Sequence, residues 1–494
     1  MNTSRNMKTL LVIFLLLFAL LAAYLVYIID VYGDYWFASP YNTRVTAQKS
    51  RVVPGDVLDR TGVTLAATDS EGKRIYNHDD ELRASIAHVM GDNGGQTIGA
   101  QSLFAKYLLG FDADIAARLD ELFSGSKRRG SDVYLTIDAA LCEYAYSLLE
   151  GRAGAIVLMN YKTGEVLAST SSPAFDLSRM NLYASGDYLP GEGSLVNRVT
   201  MGRYTPGSTF KLVTTIAALR YLPSVTLRTF TCTGCLAFDS TGVLVEDANT
   251  AFDENGDAKP GYALLRDFEN EVHGELTLEE AFAVSCNSVF ARLALEIGES
   301  RLMRVAEELG LNKELIFDEL VVYSGAYGAS KSDFELAWSG VGQHTDIMTP
   351  MHMCLLSGAI ANGGVMMEPK LLLAVGAPEK TPEGVLIPSA YKTILKGNEA
   401  EFLKECMRRV VAEGTGKNAR IDGYTVCGKT GTAEVSSSAS VAPHAWFTGF
   451  IDDEEFPYAI CVVVENGGGG GTVAAPIAAA VLEKAIALFS QPSA

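Results

Sequence analysis

The chain has 494 residues, too many for one ordinary hydrophobic core, so we expect two or three domains. Hydrophobic residues make up 48% and charged residues 20%, a balance that excludes a disordered protein. Acidic residues outnumber basic ones by 59 to 40, and the net charge of −19 argues against a nucleic-acid partner because no basic surplus exists to neutralise phosphates.

An uncharged apolar run at residues 9–29 opens the chain. At 1.5 Å per residue it spans about 30 Å, the thickness of the hydrocarbon core of a membrane. Arg5 and Lys8 precede the run, whereas Asp30 and Asp34 follow it. The positive-inside rule therefore predicts a cytoplasmic N-terminus, with everything after residue 30 outside.

A cleaved signal peptide is the alternative for this run, with a cleavage site near Ala23. The apolar run continues for six residues beyond that point, longer than expected for a signal sequence. We therefore favour an uncleaved anchor that crosses the membrane once.

The next part of the chain, residues 30–130, reads as mixed and loop-rich. Apolar stretches alternate with turn residues between Arg51 and Gly62, which predicts strand, turn and strand, and residues 101–124 carry a helical pattern. The polar stretch 124–130 marks the predicted domain boundary. The predicted organisation is a cytoplasmic tail (1–8), an anchor (9–29), a non-catalytic pedestal-like domain (30–130) and a catalytic domain (131–494).

The second domain has strands at both ends and helices between them. Asp138 is placed to cap a helix that runs to about Leu149. Strands are predicted at 133–137, 155–159, 165–168, 424–435, 445–451 and 458–465, helices dominate 205–415, a mobile glycine loop is expected at 467–471, and a last helix at 475–488. This pattern predicts an α+β fold whose antiparallel sheet is assembled from distant segments and flanked by helices, with an all-helical part.

The first chemical motif is Ser208 followed three residues later by Lys211. A Pro-Gly turn precedes Ser208 and a helix follows, so both side chains lie on one face at the helix start. A serine hydroxyl needs a base within hydrogen-bond reach, and a lysine amine can serve if its pKa is lowered. Free N–H groups at the helix start can stabilise an oxyanion. The spacing alone is common and carries little weight.

The second motif is Ser285-Cys286-Asn287, between a helix opened by the capping box of Thr277 and Glu280 and another helical stretch. Here Ser285 can pass a proton and Asn287 can hold Lys211 or a substrate amide. The simpler alternative is that Asn287 only caps the next helix.

The third motif is Lys429-Thr430-Gly431-Thr432 on a late strand. Lys429 offers a cation and the two threonines offer hydroxyls to a substrate carboxylate, whereas Gly431 leaves room for a ligand backbone. The N–H of Thr432 can complete an oxyanion hole with that of Ser208. The tripeptide Lys-Thr-Gly also occurs at residues 162–164 in a predicted hairpin turn, so it is weak evidence by itself.

In this order and context, the three motifs resemble the class B penicillin-binding proteins, and the resemblance covers most of residues 40–490. Supporting stretches are Pro54-Gly55-Asp56, Gly154-Ala155-Ile156-Val157, Gly342-Gln343 and Gly414-Thr415-Gly416. One departure is His344, which stands where a further glycine is more usual and puts the conformation of that turn in doubt.

The resemblance implies that Ser208 is acylated, that Lys211 is its general base, and that Ser285, Asn287 and Lys429 complete the catalytic set. It implies that Thr430, Gly431 and Thr432 bind substrate. The implied activity is cross-linking of peptidoglycan stem peptides ending in D-Ala-D-Ala, with covalent binding of β-lactams and neither a metal nor an organic cofactor. The implied setting is the bacterial cell membrane, beside a polytopic glycan polymerase, with the catalytic domain outside.

Three other functions compete with this interpretation. A bifunctional enzyme that also polymerises glycan needs more than the roughly 100 residues between anchor and boundary. A D,D-carboxypeptidase, in which water replaces the acceptor amine, stays open. A penicillin sensor or inactive scaffold is disfavoured because the cytoplasmic tail is short and every motif residue is present. Elongation, division and sporulation enzymes share the motifs, so the cellular role stays open.

Two further features bear on chemistry. Cys232 and Cys235 form the one suggestive pair among eight cysteines; with no second pair and no nearby histidine zinc is disfavoured, and a disulfide stays open. Glu308 lies in a pattern that resembles the deacylating glutamate of class A β-lactamases. We expect it instead on the solvated face of a helix that ends at Gly310, so a penicilloyl-enzyme should be long-lived.

Overall fold

The computed structural model of the protein describes residues 3–37, 48, 52–69, 72–111, 127–253, 256–376, 383–434 and 441–490. Most of the helical pattern expected at 101–124, and residues 124–126 of the expected domain boundary, lie outside these ranges. So does Arg51.

The helices are α1 (Thr3–Phe37), α2 (Asp80–Met90), α3 (Ala100–Leu103), α4 (Ala105–Leu108), α5 (Ala139–Ser147), α6 (Lys211–Tyr221), α7 (Leu278–Ala283), α8 (Asn287–Ile297), α9 (Glu299–Glu308), α10 (Asp333–Gly340), α11 (Pro350–Ala361), α12 (Gly397–Ala412) and α13 (Ala475–Phe489).

The strands are β1 (Val57–Leu58), β2 (Thr64–Thr68), β3 (Arg74–Tyr76), β4 (Asp132–Leu135), β5 (Gly154–Asn160), β6 (Val166–Ser172), β7 (Thr229–Cys232), β8 (Cys235–Phe238), β9 (Ala263–Arg266), β10 (Gly274–Thr277), β11 (Leu315–Ile316), β12 (Val321–Val322), β13 (Val365–Met367), β14 (Leu372–Gly376), β15 (Glu383–Gly384), β16 (Ala390–Thr393), β17 (Val426–Ala433), β18 (His444–Ile451) and β19 (Tyr458–Val464).

Two helices in the described ranges are long and apolar enough to cross a membrane. One covers Asn6–Ile28 within α1, and none of it is buried by the rest of the protein. The other, Gly470–Phe489, includes α13, is half buried and packs on β19, as a core helix of a soluble domain does. Within the apolar run, the segment up to Ile28 is helical and is not buried by the rest of the protein.

The central sheet has five antiparallel strands in the order β17-β18-β19-β5-β6. Strands from residues 154–172 and 426–464 thus share one sheet, which confirms the expectation of a sheet built from distant segments. Every position of β19 is buried, because both faces of the sheet are covered by helices. Ser357 of α11 bonds Thr448 on one face, and Phe489 of α13 packs on Tyr458 on the other.

A second sheet joins the N-terminal region to the catalytic region. Its order is β15-β14-β4-β1-β2-β3, with β1 parallel to β4. Strands on both sides of residue 130 therefore pair with each other, and one continuous hydrophobic cluster runs from Val57 to Ile486. The two regions pack as one body rather than as independent cores.

Local signals in the sequence predicted several element ends well. The Asp138 carboxylate accepts a hydrogen bond from the N–H of Leu141 and caps α5, and the capping box of Thr277 and Glu280 opens α7, as expected. The glycine run differs from expectation. Residues 467–469 have no regular secondary structure, but Gly470–Ala474 forms a turn of π-helix that leads into α13.

Candidate active site

Ser208 lies in a turn of 3₁₀ helix, Gly207–Phe210, that leads directly into α6. A neighbouring turn at Gly342 fixes its position, because the N–H of Gly207 donates a hydrogen bond of 2.8 Å to the carbonyl of Gly342. A Cβ on Gly342 would lie 2.0 Å from the carbonyl oxygen of Gly207, so only glycine permits this approach. Ser208 is thus fixed one turn before Lys211, partly exposed.

Lys211 is fully buried at the start of α6. Its Nζ donates to the carbonyl oxygen of Ser285 at 2.5 Å and to Oδ1 of Asn287 at 2.7 Å, and it lies 3.1 Å from the Ser285 hydroxyl. Burial lowers the pKa of Lys211 to about 8, although Cys286 and Asp267 act in the opposite direction. About a tenth of this amine is therefore neutral at pH 7, and the neutral fraction that a general base requires grows as pH rises.

Ser285 occupies the connection between α7 and α8 with φ at +61°, the left-handed region that residues other than glycine seldom adopt. This conformation belongs to the class of local strain that the surrounding structure must hold in place. It directs the Ser285 hydroxyl between two lysines, 3.1 Å from Nζ of Lys211 and 2.9 Å from Nζ of Lys429.

Asp267 fixes the end of this connection where α8 begins. Its buried carboxylate accepts hydrogen bonds from the backbone N–H of Asn287 and from the hydroxyl of Ser288. The side-chain amide of Asn287 donates to the carbonyl of Arg266 at 2.9 Å. Asp267 was not predicted from the sequence, because nothing local marks an aspartate that lies 20 residues before its partner.

Lys429 lies on β17, the edge strand of the central sheet. Its Nζ donates to the hydroxyl of Ser285 and, at 3.1 Å, to the carbonyl of Thr430. Burial, with a smaller effect of the Lys211 charge, holds the pKa of Lys429 well below its usual range. Hydrogen bonds therefore join Lys211, Ser285, Asn287 and Lys429 into one cluster, and the turn that carries Ser208 packs against β17 beside it.

The strand edge beyond Lys429 faces the Ser208 turn. A Cβ on Gly431 would lie 2.9 Å from the carbonyl oxygen of Pro206 and 3.0 Å from Cγ2 of Thr209. Gly431 thus permits the close approach of the turn that carries Ser208, whereas the sequence had predicted that a ligand backbone would occupy this space.

The two threonines of this motif are anchored by residues that the sequence analysis did not assign to the site. The hydroxyl of Thr430 bonds that of Thr415 at 2.6 Å, and the Thr432 hydroxyl accepts from the N–H of Gly470 at 3.2 Å. In addition, the indole of Trp446 donates to the carbonyl of Thr205 at 3.1 Å and ties β18 to the Ser208 turn.

The turn that contains His344, where a glycine is more usual in the family, has a defined backbone conformation. Its φ of +66° lies in the left-handed region, so the backbone keeps the conformation that glycine favours although a histidine occupies the position. The histidine therefore occupies this turn in a left-handed backbone conformation.

Glu308 pairs with Arg220, near the far end of the helix that begins at Lys211. Its carboxylate lies 2.7 Å from a guanidinium nitrogen of Arg220, at the end of α6 opposite to Lys211. Arg220 is nine positions after Lys211 in this helix, about 14 Å along the helix axis. As predicted, the helix that carries Glu308 is followed by Gly310, at a φ of +102°.

Cys232 and Cys235 do not form a disulfide, and all eight cysteines are free and buried. Sγ of Cys235 donates to the carbonyl of Leu236, whereas Sγ of Cys232 lies 3.3 Å from Oδ2 of Asp267 and 3.4 Å from Nδ1 of His273. The expectation that no histidine is near this pair was therefore wrong. His273 is 41 residues from Cys232 in sequence and adjacent to it in space.

This site is that of a serine acyl-transferase of the penicillin-recognising class. It combines a hydroxyl at a helix start, a buried lysine of lowered pKa, a serine that bridges two lysines and an edge strand that carries the second lysine. Comparisons with known proteins agree. The family described as "Penicillin binding protein transpeptidase domain" matches residues 154–221 and 238–483. The chain belongs to this family, among the class B penicillin-binding proteins.

Three relatives illustrate the similarity. The chain is 27% identical over 449 residues to peptidoglycan D,D-transpeptidase PbpA of Mycolicibacterium smegmatis, covering 87% of each chain. It is 30% identical over 476 residues to peptidoglycan D,D-transpeptidase MrdA of Acinetobacter baumannii, covering 86% of this chain and 64% of that protein. The ceftriaxone acyl-enzyme structure of penicillin-binding protein A from M. tuberculosis superposes with a TM-score of 0.74 at 26% identity, covering 89% of this chain and 99% of that one.

Proposed function

We propose that the protein is a peptidoglycan D,D-transpeptidase that works through a serine acyl-enzyme and binds β-lactams covalently. The observation that carries the proposal is the Ser285 hydroxyl, which bridges the buried Lys211 and Lys429 beside the Ser208 turn. Family membership and the relatives named D,D-transpeptidases support the same activity.

In the acylation step the neutral amine of Lys211 takes the proton of the Ser208 hydroxyl. The oxygen attacks the carbonyl carbon of the penultimate D-Ala, and the N–H groups of Ser208 and Thr432 receive the developing oxyanion. The C–N bond to the terminal D-Ala breaks as its nitrogen takes a proton that passes from Lys211 through the hydroxyl of Ser285. The products are free D-Ala and an ester on Ser208.

In the second step an amine of a neighbouring stem peptide attacks that ester. Lys211, now neutral again, accepts the proton that the amine loses, and the proton returns to the Ser208 oxygen as the C–O bond breaks. A new amide cross-links the two peptides and the serine is regenerated. Asn287 holds Lys211 in position through both steps.

We expect substrate to lie along β17, the edge strand of the central sheet. Lys429 holds the Ser285 hydroxyl in place, and Thr430 and Thr432 offer hydroxyl groups to the carboxylate of the donor peptide or of a β-lactam. Gly431 keeps this edge close to the Ser208 turn.

The proposed organisation in the cell follows from α1. Residues 9–29 anchor the chain, 1–8 are cytoplasmic, 30–130 form a non-catalytic region, and 131–494 carry the transpeptidase outside the membrane. We propose that α1 and the region 30–130 dock to a polytopic membrane glycan polymerase. The full-length protein alone should then fail to polymerise lipid-linked disaccharide, and efficient polymerisation by a verified single-component preparation would contradict this division of labour.

The activity is tested by incubating the full-length protein in detergent with a stem-peptide donor ending in D-Ala-D-Ala and an amine acceptor. We expect release of D-Ala together with a cross-linked product, both lost in Ser208→Ala. Release of D-Ala with water as the only acceptor, at every acceptor concentration, would identify a D,D-carboxypeptidase instead.

A further inference from the structure

Three polar side chains meet beside the segment that leads to Ser208. Oε1 of Glu465 accepts a hydrogen bond of 2.7 Å from Nε of Arg198 and one of 2.8 Å from the hydroxyl of Tyr204. Arg198 and Tyr204 are each 8% exposed, and Glu465 has 25% of its side chain exposed. Tyr204 lies four residues before Ser208, so the cluster is close to the nucleophile along the chain.

Glu465 is anchored to the middle of the central sheet. It directly follows β19, which lies between β18 and β5, and its backbone N–H donates to the carbonyl of Ala153 at 2.8 Å. Arg198 is tied to the same sheet, because its backbone N–H donates to the hydroxyl of Ser171 on β6 at 3.0 Å. Its guanidinium also donates to the carbonyl of Gly193 at 2.8 Å. The Glu465 carboxylate therefore has a fixed position.

Tyr204 is the hydrogen-bond donor to this carboxylate. Burial and the adjacent Glu465 carboxylate raise the pKa of Tyr204, so its hydroxyl keeps its proton. The ring packs edge-on against Trp446 and His444, with centroids 6.0 and 5.4 Å away. The backbone of Tyr204 exchanges two hydrogen bonds with that of Met348. The hydroxyl adds a directional link to Glu465 to these apolar and backbone contacts.

The connection from Tyr204 to Ser208 is short and stiff. The three residues between them include Pro206, whose ring fixes its φ at −76°. They also include Gly207, which lies against β17, since a Cβ on it would be 2.8 Å from the carbonyl oxygen of Thr432. A displacement at Tyr204 is therefore passed on to the turn that carries Ser208.

We propose that Tyr204 and Glu465 are positioning residues for the acylation of Ser208. The hydrogen bond between them sets where the Ser208 hydroxyl lies relative to the amine of Lys211. Both residues act through the turn rather than on the reacting atoms. The inference rests on the proposed function, in which Ser208 is the acylated residue.

A role in stability alone explains the cluster less well. Burying an ion pair such as Arg198 and Glu465 desolvates both charges, and apolar residues of similar volume are often as stable. A hydrogen bond supplies a direction that apolar packing lacks, since it weakens steeply when its angle is lost. The bond to Oε1 of Glu465 therefore holds Tyr204 in one orientation.

The test separates binding from acylation in the full-length protein in detergent. Labelling by a fluorescent penicillin is followed over a range of concentrations, which gives the apparent dissociation constant and the limiting acylation rate. Tyr204→Phe keeps the ring and removes the hydroxyl. It should lower the limiting rate by at least about fivefold, because the nucleophile shifts, and change the dissociation constant by less than about twofold.

A double-mutant cycle tests whether the two residues act as one unit. Glu465→Ala should slow acylation at least as much as Tyr204→Phe does. Adding Tyr204→Phe to Glu465→Ala should have no further effect, because the hydroxyl has then already lost its partner. Fully multiplicative slowing in the double variant would show that the two side chains act independently and would overturn the proposed link.

Tyr161→Phe is the matched control. Tyr161 is buried, and its hydroxyl lies 3.2 and 3.3 Å from the carbonyl oxygens of Ile451 and Asp453, at the opposite end of β5 from Glu465. This variant should lose stability in thermal unfolding and keep the wild-type acylation rate. A wild-type rate in folded Tyr204→Phe, or equal slowing by Tyr161→Phe, would overturn the proposal. Wild-type protein that penicillin does not label would instead overturn the proposed function and this inference with it.

Discussion

Two lysines without exposed surface, Lys211 and Lys429, meet at one serine hydroxyl. Burial disfavours the charged form of an amine, and a second cation nearby adds to the effect. The chain surrounds the two amines with carbonyl, hydroxyl and amide oxygens rather than with carboxylates. A direct carboxylate partner would have raised the pKa of Lys211 and removed its use as a base.

The pH dependence of acylation tests the role of Lys211. Because its pKa is lowered to about 8, the reactive neutral amine increases as pH rises toward that value. The second-order rate of acylation by a fluorescent penicillin should rise about tenfold per pH unit well below pH 8 and level off above it. A rate that is flat across this range would exclude Lys211 as the titrating base.

Glu308 provides a second test at the residue scale. Because it is paired with Arg220 and distant from Ser208, Glu308→Gln should leave the lifetime of the penicilloyl adduct unchanged. The adduct is trapped, free drug is removed, and its mass is followed over time. Loss of the wild-type adduct within seconds, slowed by Glu308→Gln, would identify Glu308 as a deacylating base.

At the scale of elements, the fit between the Ser208 turn and the Gly342 turn sets the position of the nucleophile. Gly342→Ala places a Cβ 2.0 Å from the carbonyl oxygen of Gly207, so the Ser208 turn must shift. We expect penicillin labelling to slow by more than about tenfold, since small displacements at a reacting atom have large effects on rate.

Gly363→Ala is the matched control for this experiment. Gly363 also has a positive φ, +64°, but nothing lies within 4 Å of its would-be Cβ. It should cost about 1–2 kcal/mol of stability, as a left-handed alanine does, and leave labelling unchanged. Equal labelling of folded Gly342→Ala and Gly363→Ala would show that the contact does not position Ser208.

Elements with strong local signals were predictable from the sequence, and long-range juxtapositions were not. Asp138 and the pair Thr277 and Glu280 mark helix starts because capping is a contact between near neighbours. The three motifs were found by their order along the chain. Asp267 and His273 were missed because their partners, Asn287 and Cys232, lie 20 and 41 residues away, and no periodicity encodes such a contact.

At the scale of the whole molecule, the apolar part of α1 lies outside the main hydrophobic core. Its apolar segment Asn6–Ile28 contributes nothing to that core, whereas α13, nearly as apolar, is packed on the central sheet. Length and composition alone do not distinguish these two helices, but packing does. Residues 52–135 contribute β1 to β4 to the second sheet. Their removal would therefore leave the edge of β14 exposed.

The topology predicted from α1 is tested in intact spheroplasts. Protease added from outside should degrade nearly the whole chain, because only residues 1–8 are expected in the cytoplasm. Detection with a C-terminal tag reports the outcome, and a cytoplasmic protein serves as the control for intact membranes. Complete protection of the C-terminal part would show that the orientation is reversed.

The most direct measurement for the account as a whole is the location of the penicillin adduct. The full-length protein is treated with benzylpenicillin, digested and mapped by mass spectrometry. We predict one penicilloyl group, carried by Ser208, and none on a Ser208→Ala variant that is folded by circular dichroism. An adduct on another residue, or equal labelling of that folded variant, would contradict the assignment of Ser208 as the nucleophile.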